Sequence, residues 1–165
     1  FISDTEIAEI VHSISNQINN SGVKDPLFIA VMNGAFLFAA DVMRKITISN
    51  AEISFIKLSS YEGTETTGKV DELIGVSDDI SGRNIIVLED IIDTGITLEK
   101  IISLLKKEEV ADIKVATLLF KPDAYTKDIH IDFIGKSIPN DFVVGYGLDF
   151  DEIGRNLPHI YKLKN

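Results

Sequence analysis

The chain has 165 residues, 45% of them hydrophobic and 25% charged, which suits one domain running from residue 1 to 165 around a single full-sized core. Its formal net charge of −10 argues against a nucleic-acid binder, whose affinity comes from a positive surface laid on phosphates. It still leaves room for a small polyphosphate held by backbone N–H groups, a few Lys or Arg and a divalent metal.

The absence of cysteine removes disulfides and thiolate metal sites, fits a reducing cytosol, and leaves oxygen and nitrogen as the ligands for any cofactor. The first residue is Phe1, so N-terminal sequence beyond it, including a removed targeting segment, stays open. "SDTEIAEIVHSISNQI" then places Ser3 and Glu6 in a capping-box arrangement and repeats Ile7, Ile10, Val11, Ile14 and Ile18 at helical spacing. A helix is expected there, stopped by Gly22. The run "LFIAVMNGAFLFAADVM" is apolar enough to raise a membrane span, but Asn33, Gly34 and Asp41 interrupt it. It reads as a buried strand, a turn, and a helix from about Phe36 to Lys45.

"ISFIKL" alternates as a strand does. "SSYEGTETTGKVDE" is polar, contains Gly63 and Gly68 and has no periodicity, as expected of a mobile hairpin or flexible lid. "RNIIVLED" is the next strand, the run after Thr97 a helix, and "IKVATLLF" another strand rich in β-branched residues. The stretch from Asp132 onward carries short strands and turns and no long helix, and is expected to form a small C-terminal cap. Strands alternating with helices predict an α/β fold: an open, mostly parallel twisted sheet flanked by helices. In such sheets the ligand sits beyond the carboxyl ends of the strands. Asn33-Gly34, the stretch from Glu89 to Thr97, and Lys121 all follow predicted strands, so they are expected to converge at one edge.

The stretch "VLEDIIDTGITL" poses a question of its own, because a buried strand ends in Glu89, Asp90 and Asp93. An acidic surface turn capping a helix is the plain explanation. The alternative is a ligand loop. Thr94, Gly95, Ile96 and Thr97 offer successive N–H groups and two hydroxyls at a helix start, fit to cradle a phosphate monoester without a Walker-type lysine. Glu89 and Asp90 are adjacent acceptors suited to a vicinal diol, directly or through Mg²⁺. Phosphate donors beside diol acceptors spell ribose 5-phosphate, with Asp93 near the anomeric carbon.

"VLEDIIDTG" resembles the phosphoribosyl pyrophosphate signature of the type I phosphoribosyltransferases, and from about Asp4 to Leu163 the chain is similar to their hypoxanthine-guanine branch. "SSYEGTETTG" resembles that branch's flexible lid with its Ser60-Tyr61 pair. "FKPDAY" carries its purine-reading lysine as Lys121, and "DFVVGYGLDFDEIGRNLP" matches its C-terminal motif.

The resemblance implies roles residue by residue. Glu89 and Asp90 serve the ribose hydroxyls and Mg²⁺, and the loop from Asp93 to Thr97 holds the 5-phosphate. Asp93 is the acid/base group. Lys121 donates to O6 of the base, Ile91 and Phe142 sandwich the ring, and the backbone at Val143 and Asp149 reads its edge. Asp149 is also a second metal site. Ser60, Tyr61, Arg155 and the Asn33-Gly34 turn serve pyrophosphate, the turn across a peptide the family often holds in the cis form. Asn33 stands where many relatives have lysine, and Lys57 where arginine is frequent, which bears on pyrophosphate affinity more than on reaction type.

The implied activity is transfer of the 5-phosphoribosyl group from 5-phosphoribosyl 1-pyrophosphate to hypoxanthine or guanine, with Mg²⁺, in the cytoplasm, by a homodimer or homotetramer that binds neither nucleic acid nor membrane. A non-enzymatic sensor of the same donor, and an enzyme that accepts xanthine, are the competing readings. His12 reads as a boundary residue of the first helix, and His130 and His159 have no partner motif. Outside the motif, Phe142 would read as core and Lys121 as an exposed lysine.

Overall fold

The central strands carry almost nothing but apolar side chains because both of their faces are covered, as parallel strands require. The structure is a computed structural model that describes residues 1–58 and 79–163. Its elements in chain order are α1 (Asp4–Asn19), β1 (Pro26–Met32), α2 (Phe36–Met43), β2 (Glu52–Lys57), β3 (Asn84–Ile92), α3 (Ile96–Lys107), β4 (Asp112–Phe120), β5 (Phe133–Ser137), β6 (Val143–Val144) and β7 (Tyr161–Lys162). The first five strands form one sheet in the order β2-β1-β3-β4-β5, with every pair parallel. Phe28, Ala30, Ile86 and Leu88 point to one face, under Val11 and Ile14 of α1 and Phe38 and Val42 of α2. Ile29, Ile85, Val87 and Val115 point to the other, against Leu98, Ile101 and Leu105 of α3.

The expected α/β architecture holds, with local differences that have physical causes. Ser3 accepts a hydrogen bond from the Glu6 N–H at 3.2 Å, which is half of the capping box. Glu6 does not return the bond, because its carboxylate pairs with Lys136 of β5 at 2.7 Å. His159 takes up the slack: its Nδ1 accepts from the Asp4 N–H at 2.9 Å, so a residue without a sequence partner caps α1. That helix stops at Asn19, short of Gly22. Helix α2 stops at Met43 instead of Lys45, since Asn19 binds both the Lys45 carbonyl and the Thr47 N–H, each at 2.9 Å, and pulls the chain out of helical geometry.

Strand β5 was expected within the C-terminal cap and belongs instead to the main sheet, paired to β4 from Ala116–Phe133 to Phe120–Ser137. The cap is smaller: β6 and β7 pair antiparallel, and Ile160 bridges to Ile2. The stretch expected to be a lid lies outside the described residues. Among those described, no helix is long and apolar enough to cross a membrane.

From β1 the chain passes to β2 on one side and then to β3, β4 and β5 on the other. Such a reversal leaves a crevice between the diverging connections, here beyond the carboxyl ends of β1 and β3.

Candidate active site

Two segments meet at that crevice. At the end of β1, the peptide that leads into the Asn33-Gly34 turn, Met32–Asn33, is cis. Gly34 follows, and a Cβ placed on it would stand 1.8 Å from Asp90 Oδ2. Only glycine lets this turn touch the carboxylate at the end of β3. Lys57, at the end of β2, is the register partner of Met32 and so flanks the same turn.

At the end of β3 the strand alternation slips. Leu88 and Ile91 both join the core under α1 and α2, while Val87 and Ile92 join the other side. Asp90 and Ile91 are thereby turned into a cleft, whereas Glu89 is only 4% exposed. Burial holds the Glu89 carboxyl well above the usual carboxylate range, and the neighbouring Asp90 charge adds to this. Asp90 is pushed up to about 6, chiefly by burial, with backbone N–H bonds and Arg155 working against the rise and Asp149 with it. Two adjacent, poorly hydrated carboxyls form a set of hard oxygen donors that gains from a cation. Among the described residues, no group of three or more His, Cys, Asp or Glu could by itself hold a metal.

The phosphate-type loop begins after Ile92. Gly95 has φ of +85° and precedes α3 with no side-chain cap on the helix. The first N–H groups of α3 therefore face a hollow of about 80 Å³ lined by Asp93, Thr94, Gly95, Ile96 and Thr97. The Ile96 N–H makes only a long bond, 3.5 Å, to the Thr94 hydroxyl, and N–H groups so weakly held at the positive end of the helix dipole favour an anion there. The helix starts at Ile96, so Thr97 lies in its first turn, not ahead of it. Sequence reasoning missed the support beneath this loop. The Gly95 backbone rests on Tyr125 and Lys127, which would lie 2.5 and 2.8 Å from an added Cβ. Tyr125 donates to the Ile129 carbonyl at 2.8 Å, and Lys127 meets Glu99 at 2.6 Å. Tyr125 stands inside the quoted "FKPDAY" stretch, and only its distance from the acidic loop in sequence hid its role.

A larger cleft of about 450 Å³ adjoins the loop, with Ile91 and Lys121 on the sheet side and Phe142, Val143 and Asp149 on the cap side. Leu148, Phe150 and Asp151 also line it and were not foreseen. The Lys121 side chain is nearly buried, and its Nζ lies 2.8 Å from Oδ2 of the half-exposed Asp93. Phe142 is 54% exposed, held edge-on to Phe150 with ring centres 5.8 Å apart.

Arg155 is engaged within the protein. It meets Asp149 at 2.8 Å and Glu152 at 3.2 Å, and donates to the Gly147 carbonyl at 2.8 Å. The structure thus gathers Asn33, Gly34, Glu89 to Thr97, Lys121, Phe142, Val143, Asp149 and Arg155 at one sheet edge. Ser60 and Tyr61 lie outside the described residues. His12 binds Asn16 on the surface of α1.

Residues 3–151 match a family model described as the phosphoribosyl transferase domain. The hypoxanthine-guanine phosphoribosyltransferase of Streptococcus pneumoniae R6 is 39% identical over 165 aligned residues, covering 99% of this chain and 91% of that protein. The hypoxanthine phosphoribosyltransferase of Buchnera aphidicola is 40% identical over 161 residues, 97% of this chain and 90% of that one. Among solved structures, the hypoxanthine-guanine phosphoribosyltransferase of Bacillus anthracis superposes with a TM-score of 0.88 at 40% identity, over 99% of this chain and 97% of that one.

Proposed function

The chain belongs to the phosphoribosyltransferase family, and from that premise we propose that it is a purine-salvage enzyme. It transfers the 5-phosphoribosyl group of 5-phosphoribosyl 1-pyrophosphate to hypoxanthine or guanine, giving IMP or GMP and pyrophosphate. The observation that carries the choice of base is the Lys121–Asp93 pair, a donor and an acceptor 2.8 Å apart on the sheet side of the cleft. The edge of a 6-oxopurine presents the complementary pair, an acceptor at O6 beside a donor at N7–H.

In this reading the donor's 5-phosphate rests on the N–H groups from Asp93 to Thr97, and its ribose hydroxyls face Glu89 and Asp90. The purine enters between Ile91 and Phe142, with Val143 and Asp149 reading its edge. Its N9 lone pair forms the bond to C1′ as the bond from C1′ to the pyrophosphate oxygen breaks. Positive charge grows on the imidazole ring, and Asp93 accepts the N7 proton. Lys121 holds O6 and orients the ring. Asn33, Gly34 and Arg155 receive the pyrophosphate, with Ser60 and Tyr61 assigned to cover it.

Mg²⁺ is the proposed cofactor, and the donor set fits it: Glu89 and Asp90 offer adjacent, poorly hydrated carboxyl oxygens, the hard ligands this cation takes. Glu89 and Asp90 would hold it, and it supplies positive charge to the diol and the departing pyrophosphate. Asp149 serves as a second metal ligand only by leaving Arg155. The cytoplasm as compartment and a homodimer or homotetramer as assembly belong to the same proposal, resting on the cysteine-free composition and the family resemblance.

A pyrophosphate-release assay across purine and pyrimidine bases, with and without Mg²⁺, tests the reading. Release with hypoxanthine or guanine, dependent on Mg²⁺, is the expected result. Release with pyrimidines alone, or none with any base, overturns it.

A further inference from the structure

The loop from Gly145 to Asp149 brings Leu148 and Asp149 to the cap side of the cleft, beside Phe142 and Val143, and the cap strands behind it, β6 and β7, are two residues each. A pair so short does not by itself fix a loop. Within the cap the loop is tied to the chain that follows it, from the Tyr146 N–H to the Leu157 carbonyl at 2.8 Å and from the Gly147 N–H to the Arg155 carbonyl at 2.9 Å. Two further attachments lead out of the cap to the pyrophosphate turn and the helix behind it. The first is a backbone contact. Gly147, at φ of +97°, packs so closely on Gly34 that an added Cβ would lie 2.0 Å from the Gly34 carbonyl oxygen. Gly34 in turn lies against the Asp90 carboxylate, so cap and turn stack backbone on backbone and the turn rests on the side chain at the acidic strand end.

The second is a hydrogen bond from the Tyr146 hydroxyl to Asp41 Oδ2 at 2.7 Å. Tyr146 is 7% exposed and has φ of 49°, a conformation its bulky side chain rarely adopts. That backbone turns the ring away from the cleft and down onto α2, the helix that begins directly after the Asn33-Gly34 turn. Neither Tyr146 nor Asp41 lines the cleft. Burial and the Asp41 carboxylate push the phenol far above its usual pKa, so it stays a donor across the neutral range.

We propose that Tyr146 and Asp41 are positioning residues that latch the base-reading loop onto α2, so that the purine and pyrophosphate subsites are held as one unit. The inference rests on the functional reading above and adds a pair of residues that touch neither substrate. Lys121 and Asp93 sit on the sheet, outside the latched unit, so releasing the latch leaves the reacting groups in place. Both substrates lose a wall, because the loop carries Asp149 and rests on Gly34.

The test is steady-state kinetics of Tyr146→Phe, Asp41→Ala and Asp41→Asn. Phenylalanine keeps the buried ring, and the Asp41 side chain left behind is already 42% exposed, so the fold survives the loss. Tyr146→Phe and Asp41→Ala are each expected to raise KM for hypoxanthine and for the phosphoribosyl donor about tenfold, the effect of one charge-assisted hydrogen bond, with kcat within about threefold. The double variant should be no worse than either alone. Asparagine still offers an acceptor oxygen, so Asp41→Asn should lie much closer to wild type than Asp41→Ala. A fall in kcat alone, unchanged KM values, additive losses, or Asp41→Asn as damaging as Asp41→Ala overturns the latch. Should the wild type transfer no phosphoribosyl group to any purine, the functional reading fails first. The latch then stands or falls on hydrogen exchange at Val143 to Asp149, which should quicken in Tyr146→Phe and overturns the latch if it does not.

Discussion

Asp93 and Lys121 illustrate how one contact serves two states. In the free protein their ion pair, 2.8 Å long, supplies the counter-charge for a nearly buried ammonium. With a purine bound, the same two groups address N7 and O6. Asp93→Asn keeps the size and most of the hydrogen bonding and removes the charge. Turnover should therefore drop by about 10²- to 10⁴-fold, the range for losing a positioned acid/base group, while donor binding holds because a carboxylate near the phosphate is gone. Single-turnover rates and donor titration separate the two. Retained kcat with weakened donor binding would make the carboxylate a structural part of the phosphate loop. Adenine offers a donor where Lys121 needs an acceptor, so its kcat/KM should fall below that of hypoxanthine by roughly 10⁴ or more. Comparable values for the two bases would remove Lys121 from the site. These residues were legible because each is a charged group placed at the end of an apolar strand. The Arg155 fork to Asp149 and Gly147 was not legible, nor was Tyr146 to Asp41 across 105 positions of sequence. Such bonds leave no local pattern.

At the scale of elements, the β3–α3 connection shows what a loop must give up to hold an anion. Helix α3 begins on Gly95, which has no side chain to cap it, and its first N–H is held only by a 3.5 Å bond to the Thr94 hydroxyl, which leaves the helix start open to a ligand. Gly95 makes this possible in two ways: its φ of +85° suits no larger residue, and it packs on Tyr125 and Lys127. Gly95→Ala adds left-handed strain and a clash with the Tyr125 ring, together about 2 kcal/mol or more. Calorimetric titration of the phosphoribosyl donor should show affinity weakened about tenfold or more, with Tm lowered. Unchanged affinity would mean that the loop does not carry the phosphate. The boundaries of α3 and β3 followed from apolar runs and punctuation, and were read to within a residue or two. Strand β5, "FIGKS", opens a stretch of short strands and turns without a long helix, which is why the cap was expected to include it. Its pairing with β4 decides its state, and pairing is a tertiary fact.

Over the whole molecule, a net charge of −10 sets the terms on which an anionic donor can bind. The chain order of strands, legible from their alternation with helices, brings the acidic end of β3 to the crevice where the donor is proposed to lie. The raised carboxyls at that end make a statement about pH. Asp90 is lifted from its usual 3.8 to about 6 and Glu89 is raised in the same direction, so the metal-free folded state binds protons that the unfolded chain has released. Stability from Asp90 is full below about pH 4 and is lost as pH rises through about 6, by at most about 3 kcal/mol, and Glu89 acts in the same direction. Mg²⁺ needs both groups ionised, so its stabilising effect should grow over the same window. Thermal unfolding of metal-free protein should show Tm falling between pH 4.5 and 7, and the increment from added Mg²⁺ rising. Repulsion among the other acids also lowers Tm as pH rises, so the comparison that isolates the pair is Glu89→Gln with Asp90→Asn. Amides at both positions should flatten the wild-type slope and abolish most of the Mg²⁺ increment. Identical slopes and identical Mg²⁺ increments in the two proteins would place the cation elsewhere and leave the acidic strand end as an ordinary capped turn.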